Sequence, residues 1–308
     1  MSRVPEPQNT PQGPTYEGRL LARPDEEVVD QGAGFDISTL LTRRRILGLV
    51  GAGVGAAALA ACGAGSSSTS TGGSAANTST TADGEIPQET NGPYPADGTN
   101  GTNVLTESGI VRSDITSSLD GGTTVEGVPL EFTFTLTDMA NDVPFEGAAV
   151  YLWQCDALGR YSMYSEGVED ETYLRGVQVA DADGQVTFKT IVPGCYDGRW
   201  THMHFEVYPD ADSATTGENT IATSQVAFPE KMVTKVYQDD AYEGSAENLT
   251  KVSLDTDNVF SDGYDLEMGT FTGSPSAGYK GSLSVAVDTT TEAAMGAAPA
   301  GGTPPTRR

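Results

Sequence analysis

Basic side chains are scarce in this chain: 17 Lys and Arg stand against 43 Asp and Glu in 308 residues. Beyond Cys62 the count is 11 against 36. A surface that acidic repels phosphate backbones and anionic lipid, so nucleic acid and anionic membrane faces are excluded as partners. Uninterrupted apolar sequence is also short. The longest weakly apolar run, Ile46–Ala61, has 16 residues and many glycines, below the roughly 20 needed to cross a bilayer as a helix. Cysteine is limited to Cys62, Cys155 and Cys195, too few for a disulfide framework to replace a core. Long helical periodicity is missing as well. Histidine is scarcest of all: His202 and His204 are the only two.

The composition divides the chain before any motif is read. Residues 1–61 form a leader in which twin arginines (TRRRILGLVGAGVGAAALAACG) precede the apolar run, the layout of a twin-arginine export signal. The run ends in Leu-Ala-Ala-Cys, similar to a lipobox, which makes Cys62 the expected lipidation site. Residues 62–84 are a Ser/Thr/Gly-rich tether, and 291–308 an Ala/Gly/Pro-rich tail without a core pattern. Residues 85–290 remain for one globular unit, long enough to bury its own core. The expected location is outside the cytoplasm, with contact to the membrane only through the lipid.

Within that unit the period is two. VPLEFTFTLTD alternates apolar and polar residues, the mark of a half-buried strand. GAAVYLWQCD, QVTFKTIV, THMHFEVYP, ATSQVAFP, KVSL and GSLSVAVD read as further strands, with turns at Asp183-Gly184, Pro193-Gly194 and Asp262-Gly263. EKMVTKVYQDDAY allows a short helix. The fold class is all-β, a β-sandwich with long loops. With Cys62 lipidated, an even pair of cysteines remains in an oxidising space, so a Cys155–Cys195 disulfide is expected.

The two histidines stand two apart in THMHFEV, so both imidazoles project from one face while Met203 and Phe205 take the other. Tyr196 lies six residues upstream and Tyr161 sits in a Gly-Arg-Tyr turn. Two imidazoles and two phenolates suit a hard, high-valent first-row ion such as Fe(III). The same pattern also fits a polar pair on a strand edge beside two ordinary core tyrosines.

GRY, then YLRGVQ…DADG.V.F.TI.PG.Y, then R..H.HF resembles the intradiol ring-cleavage dioxygenases, non-haem iron(III) enzymes that open catechols between their hydroxyls. ETNGPYPADG, IVRSD and VYLWQCDALGRYS extend the likeness over roughly Glu89 to Pro229. The resemblance implies a sandwich with iron at one edge, of the smaller type without an N-terminal helical domain. It implies Tyr161, Tyr196, His202 and His204 as ligands, Tyr161 and His202 equatorial, Tyr196 and His204 axial, with hydroxide as the fifth. It gives Tyr196 the further task of leaving the metal to take a catechol proton. Arg199 then stabilises negative charge on the ring, Gln225 positions substrate, and Tyr94 forms a wall of the pocket. The implied reaction takes an aromatic diol and O2 through a cyclic anhydride to a cis,cis-muconate. Gln154 departs from the family's secreted pattern, where a His is common. A lipoprotein that binds ferric iron or catecholates without turnover would need the four ligands but neither Arg199 nor Gln225. Trp153 reads as sandwich core.

Overall fold

The computed structural model describes residues 84–290 and the backbone of three short strands near the N-terminus. The chain divides into two compact units, 1–79 and 80–308. In the first, strands β1 (Gln8–Thr10), β2 (Gly13–Tyr16) and β3 (Arg19–Leu20) form an antiparallel sheet, in a leader whose composition announced no strands. The apolar run, Cys62, the tether and the tail lie outside the described residues.

The second unit is a sandwich. One sheet has the order β10-β9-β6-β7, from β6 (Ala149–Trp153), β7 (Arg175–Val179), β9 (His202–Tyr208) and β10 (Ala222–Ala227). The other centres on β4 (Pro129–Asp138), paired in parallel with β12 (Gly278–Val287) and antiparallel with β8 (Gln185–Ile191). The short β5 (Val143–Pro144) and β11 (Thr270–Ser274) complete it. Along β4 the residues alternate between buried and partly exposed, which places Leu130, Phe132, Phe134 and Leu136 in the core. From the facing sheet, Met203, Phe205 and Val207 join them, and Phe134 meets Phe205 with ring centroids 4.9 Å apart. Burial of this face supplies the main drive for the fold, about 1.5–3 kcal/mol for each large apolar side chain.

The β10-β9-β6-β7 sheet is buried on its second face too, and every residue of β6, β9 and β10 is buried. A separate cluster that includes Tyr94, Tyr151, Trp153, Tyr161 and Tyr208 lies there, away from the sandwich interior. Trp153 belongs to this outer cluster. The residue is buried as expected, but on the other face, because β6 carries Val150 and Leu152 inward and so turns Tyr151 and Trp153 outward.

Most expected strands are present. KVSL is an exception: residues 250–254 form turns after a short helix, α2 (Ser245–Leu249). Helix α1 (Glu230–Val236) occupies the start of EKMVTKVYQDDAY. The expected Cys155–Cys195 disulfide is absent, and both residues are buried free thiols. Each thiol is turned to a different carbonyl, Cys155 Sγ to Gly194 O at 3.5 Å and Cys195 Sγ to Arg199 O at 3.4 Å.

Candidate metal centre

Strand β9 sets the site. The i, i+2 spacing sends His202 and His204 to the outer face, as the alternation predicted, and their Nε2 atoms lie 3.1 Å apart. Tyr161 Oη lies 3.4 Å from His202 Nε2 and Tyr196 Oη 3.3 Å from the same atom. Four donor atoms from three segments therefore converge on one point.

Local sequence explains how the tyrosines arrive. In the Asp156–Tyr161 turn, Asp156 Oδ1 accepts from the backbone of Leu158 and Arg160. Its Oδ2 is 2.7 Å from Arg160 Nη2 and accepts from Tyr173 Oη. Gly159 has φ +79, and a Cβ there would sit 2.9 Å from Tyr196 Cβ. Glycine is thus required both for the turn and for the approach of the second tyrosine segment. The following loop is held by the fully buried Arg175, which donates to Ser162 Oγ and O, to Pro95 O and to Tyr151 Oη. Arg175 thereby ties the Tyr161 loop to the segment carrying Tyr94.

The histidines are oriented from both sides. His202 Nδ1 donates to Trp200 O at 2.5 Å, which leaves Nε2 as the free acceptor, the usual arrangement of a ligating imidazole. His204 stacks on Trp153 at 4.9 Å and 5°, its partner in register across β6, while Gln225 is its partner across β10. Its Nδ1 has no hydrogen bond of ordinary geometry, although the Thr90 backbone stands close enough to oppose the fall in its pKa. Gly92, with φ +70, closes over this ring, and a Cβ there would lie 3.2 Å from His204 Cε1.

Electrostatics fits a cation. Burial, reinforced by Arg199, holds both imidazoles well below their ordinary pKa, so they are neutral and able to ligate. Burial pushes Tyr161 well above the ordinary phenol range. Burial likewise pushes Tyr196 to about 12, with Arg199 opposing the rise. Two enclosed phenols would ionise only against concentrated positive charge, which a trivalent ion provides. The geometry agrees, since two donors at right angles around a first-row ion with bonds of roughly 2.0–2.1 Å stand about 3 Å apart. Among the described residues no three His, Cys, Asp or Glu gather to hold a metal, so the phenols are needed to complete a set here.

Arg199 and Gln225 also meet at the site. Arg199 Nη2 donates to Gln225 Oε1 at 2.7 Å, and Gln225 Nε2 donates to Thr90 O at 3.0 Å. Tyr94 stands 5.0 Å from Tyr161, ring to ring, and its hydroxyl is pushed to about 12 by burial. Gln154 is buried away from the ligands, bonded to Ile191 O and to Thr190 Oγ1. Sequence reasoning missed Asp257, whose carboxylate grips Arg199. It also missed Tyr164, which packs on Tyr94 at 5.3 Å and receives the Ala96 amide. Neither carries a local pattern that separates it from surface Asp or core Tyr.

Known proteins resemble this chain over the segment that carries the site. A family model described as Dioxygenase matches residues 104–237, a span that contains all four candidate ligands, Arg199 and Gln225. Catechol 1,2-dioxygenase 1 of Acinetobacter lwoffii is 27% identical over 166 residues, 48% of this chain and 50% of that protein. The chain thus matches about half the length of that relative. An intradiol ring-cleavage dioxygenase structure from Tetranychus urticae superposes with TM-score 0.54 and 25% identity, over 68% of this chain and 97% of that one. By the family model and by this structural likeness, residues 104–237 and the sandwich built around them are similar to the intradiol ring-cleavage dioxygenases.

Proposed function

We propose that the protein is an Fe(III)-dependent intradiol dioxygenase, which uses O2 to open a catechol-type ring to a cis,cis-muconate. The observation that carries this reading is the convergence of Tyr161, Tyr196, His202 and His204 beside the Arg199–Gln225 pair, with 2.7 Å between the last two. Passive storage of iron needs the four donors but not a guanidinium fixed next to them. The donor set fits the ion: two neutral imidazoles and two phenols that ionise only beside strong positive charge.

Iron(III), when bound, supplies Lewis acidity that favours the ionised diol. The chain supplies the rest. Tyr196 is the less buried residue of the two phenol ligands and stands at the start of a turn, so its Oη is placed to take a proton from an incoming hydroxyl. Tyr161 is enclosed and is suited to stay in place. Arg199 holds its charge where negative charge develops on the ring, and Gln225 fixes the position of Arg199 Nη2. The stacked Trp153–His204 pair keeps one imidazole from rotating, and Tyr94 walls the pocket from bulk water.

The test is oxygen uptake by the purified unit across a panel of catechols, with metal content and absorption measured on the same sample. We expect one iron per chain, a wine-red charge-transfer colour and uptake with catechol. A red protein that binds catechol yet consumes no oxygen would identify the binding lipoprotein instead, and a colourless zinc protein would overturn both readings. We further propose export and lipid attachment through the twin-arginine leader and Cys62. Cell fractionation of the parent and of Cys62→Ala tests this, with release of the variant from the membrane as the expected result.

A further inference from the structure

We propose that Asp257 is a positioning residue for the ring-opening reaction, acting by holding the Arg199 guanidinium in its working orientation. The inference rests on the dioxygenase reading above. Asp257 has no solvent exposure, so an ionised carboxylate there must be matched by nearby donors. It is. Arg199 Nε donates to Oδ2 at 2.9 Å and Nη2 to Oδ1 at 3.3 Å, a two-point contact that fixes the guanidinium plane as well as its place. Three backbone amides fill the remaining positions: Trp200 N on Oδ2 at 2.7 Å, Val259 N on Oδ1 at 2.9 Å and Phe260 N on Oδ1 at 3.2 Å. The loop after Leu254 is therefore wrapped around a carboxylate that faces the segment leading into β9.

The arrangement orders Arg199 from two directions. Asp257 holds Nε and one edge of Nη2, Gln225 takes Nη2 from the β10 side, and the Phe260 ring lies 6.0 Å from the guanidinium carbon. Nη1 is not among these contacts, which makes it the corner that can face a bound ring. Arginine outside such a grip samples many rotamers. A cation meant to meet charge that forms only in the transition state is effective when its position is fixed beforehand. Asp257 contacts none of the four ligand side chains, so its side-chain hold on the site runs through Arg199, while its bond to Trp200 N and its charge near Tyr196 bear on the ligand segment and would be read in the iron content and colour of the variant.

A kinetic double-mutant cycle on the iron-loaded protein tests this, with Asp257→Asn, Arg199→Met and the pair. Asp257→Asn should keep iron content and charge-transfer colour, lower kcat by about 10- to 10²-fold and leave KM little changed, as loss of a contact made in the transition state does. In the Arg199→Met background the same substitution should lower kcat no further. Asp257→Glu, with the charge retained, should recover part of the loss. Wild-type kcat in Asp257→Asn, or the same factor lost again on top of Arg199→Met, would overturn the proposal. If Asp257→Asn does not fold, Asp257→Glu takes its place in the cycle; if neither folds, the carboxylate serves loop assembly and the proposal falls. An inactive parent would instead sink the dioxygenase reading, so the two failures are distinguishable.

Discussion

Strands β4 and β9 face each other across the sandwich and obey the same alternation, yet they carry different burdens. On β4 one face is core and the other is partly open, so Thr133 and Thr135 have water available besides their neighbours. On β9 both faces are buried, and the outer one carries His202, His204 and Glu206. Every polar atom on that face needs a partner from the protein or from a ligand. His202 finds them in the Trp200 carbonyl, Tyr161 and Tyr196, and Glu206 Oε2 in Tyr208, while His204 Nδ1 and Glu206 Oε1 have no hydrogen-bond partner among the described residues. The contrast teaches that a polar residue on a half-open strand is a tolerated neighbour, whereas one on a doubly buried strand is a committed part of a site.

The largest effect should come from the committed face. Tyr196→Phe should retain much of its iron on Tyr161, His202 and His204, yet lower turnover by about 10²–10⁴-fold, the usual worth of a positioned base. Stopped-flow mixing with anaerobic catechol checks this, since unchanged complex formation would move the base role elsewhere. Tyr161→Phe should instead cost metal and colour, because that ring is enclosed and anchored by its loop.

The inner face of the same strand should respond in stability. Phe205→Ala leaves a cavity against Phe134 and should cost about 3–5 kcal/mol in denaturant unfolding. A loss under 1 kcal/mol would mean that the two sheets reseat freely.

Glu267 extends the comparison to the edge of the same sheet. It is fully buried beside β10, bonded to Ser224 Oγ, with Oε2 unpartnered. Burial, then Glu89, raises its pKa to about 9, while Ser224 opposes the shift and Asp262 adds to it. The folded chain therefore holds this proton more tightly than the unfolded one. Its stabilising contribution is full below the ordinary Glu value, about 4.3, and is lost as pH rises through 9. Glu267→Gln should match the parent near pH 4 and exceed it by on the order of a few kcal/mol at pH 9. Melting curves at the two pH values decide it, and a constant difference between the proteins would refute the assignment.

The open face of β4 should respond least. Thr133 and Thr187 share a 2.8 Å hydroxyl contact across β4 and β8. Thr133→Val should change stability by roughly 0.2–1 kcal/mol, the scale of one cross-strand pair. A larger loss by urea unfolding would show that this face is less open than its burial pattern indicates.

The amino-acid order by itself determined the strands of period two, the opposition of His202 and His204 to Met203 and Phe205, and the four donors. Alternation is enforced by backbone geometry one residue at a time, so it can be read without knowing neighbours. β7 and β11 were not legible, because RGVQV lies on a sheet covered on both sides and TFTGS is an edge strand with little apolar content. Only the tertiary structure decided that Trp153 faces His204 rather than the sandwich core, that Asp257 belongs to Arg199, and that Cys155 and Cys195 stay as thiols. Each of these depends on which strand is neighbour to which, or on how a distant loop closes. Contacts between segments dozens of residues apart are chosen by the packing of the whole core, and no local period records that choice.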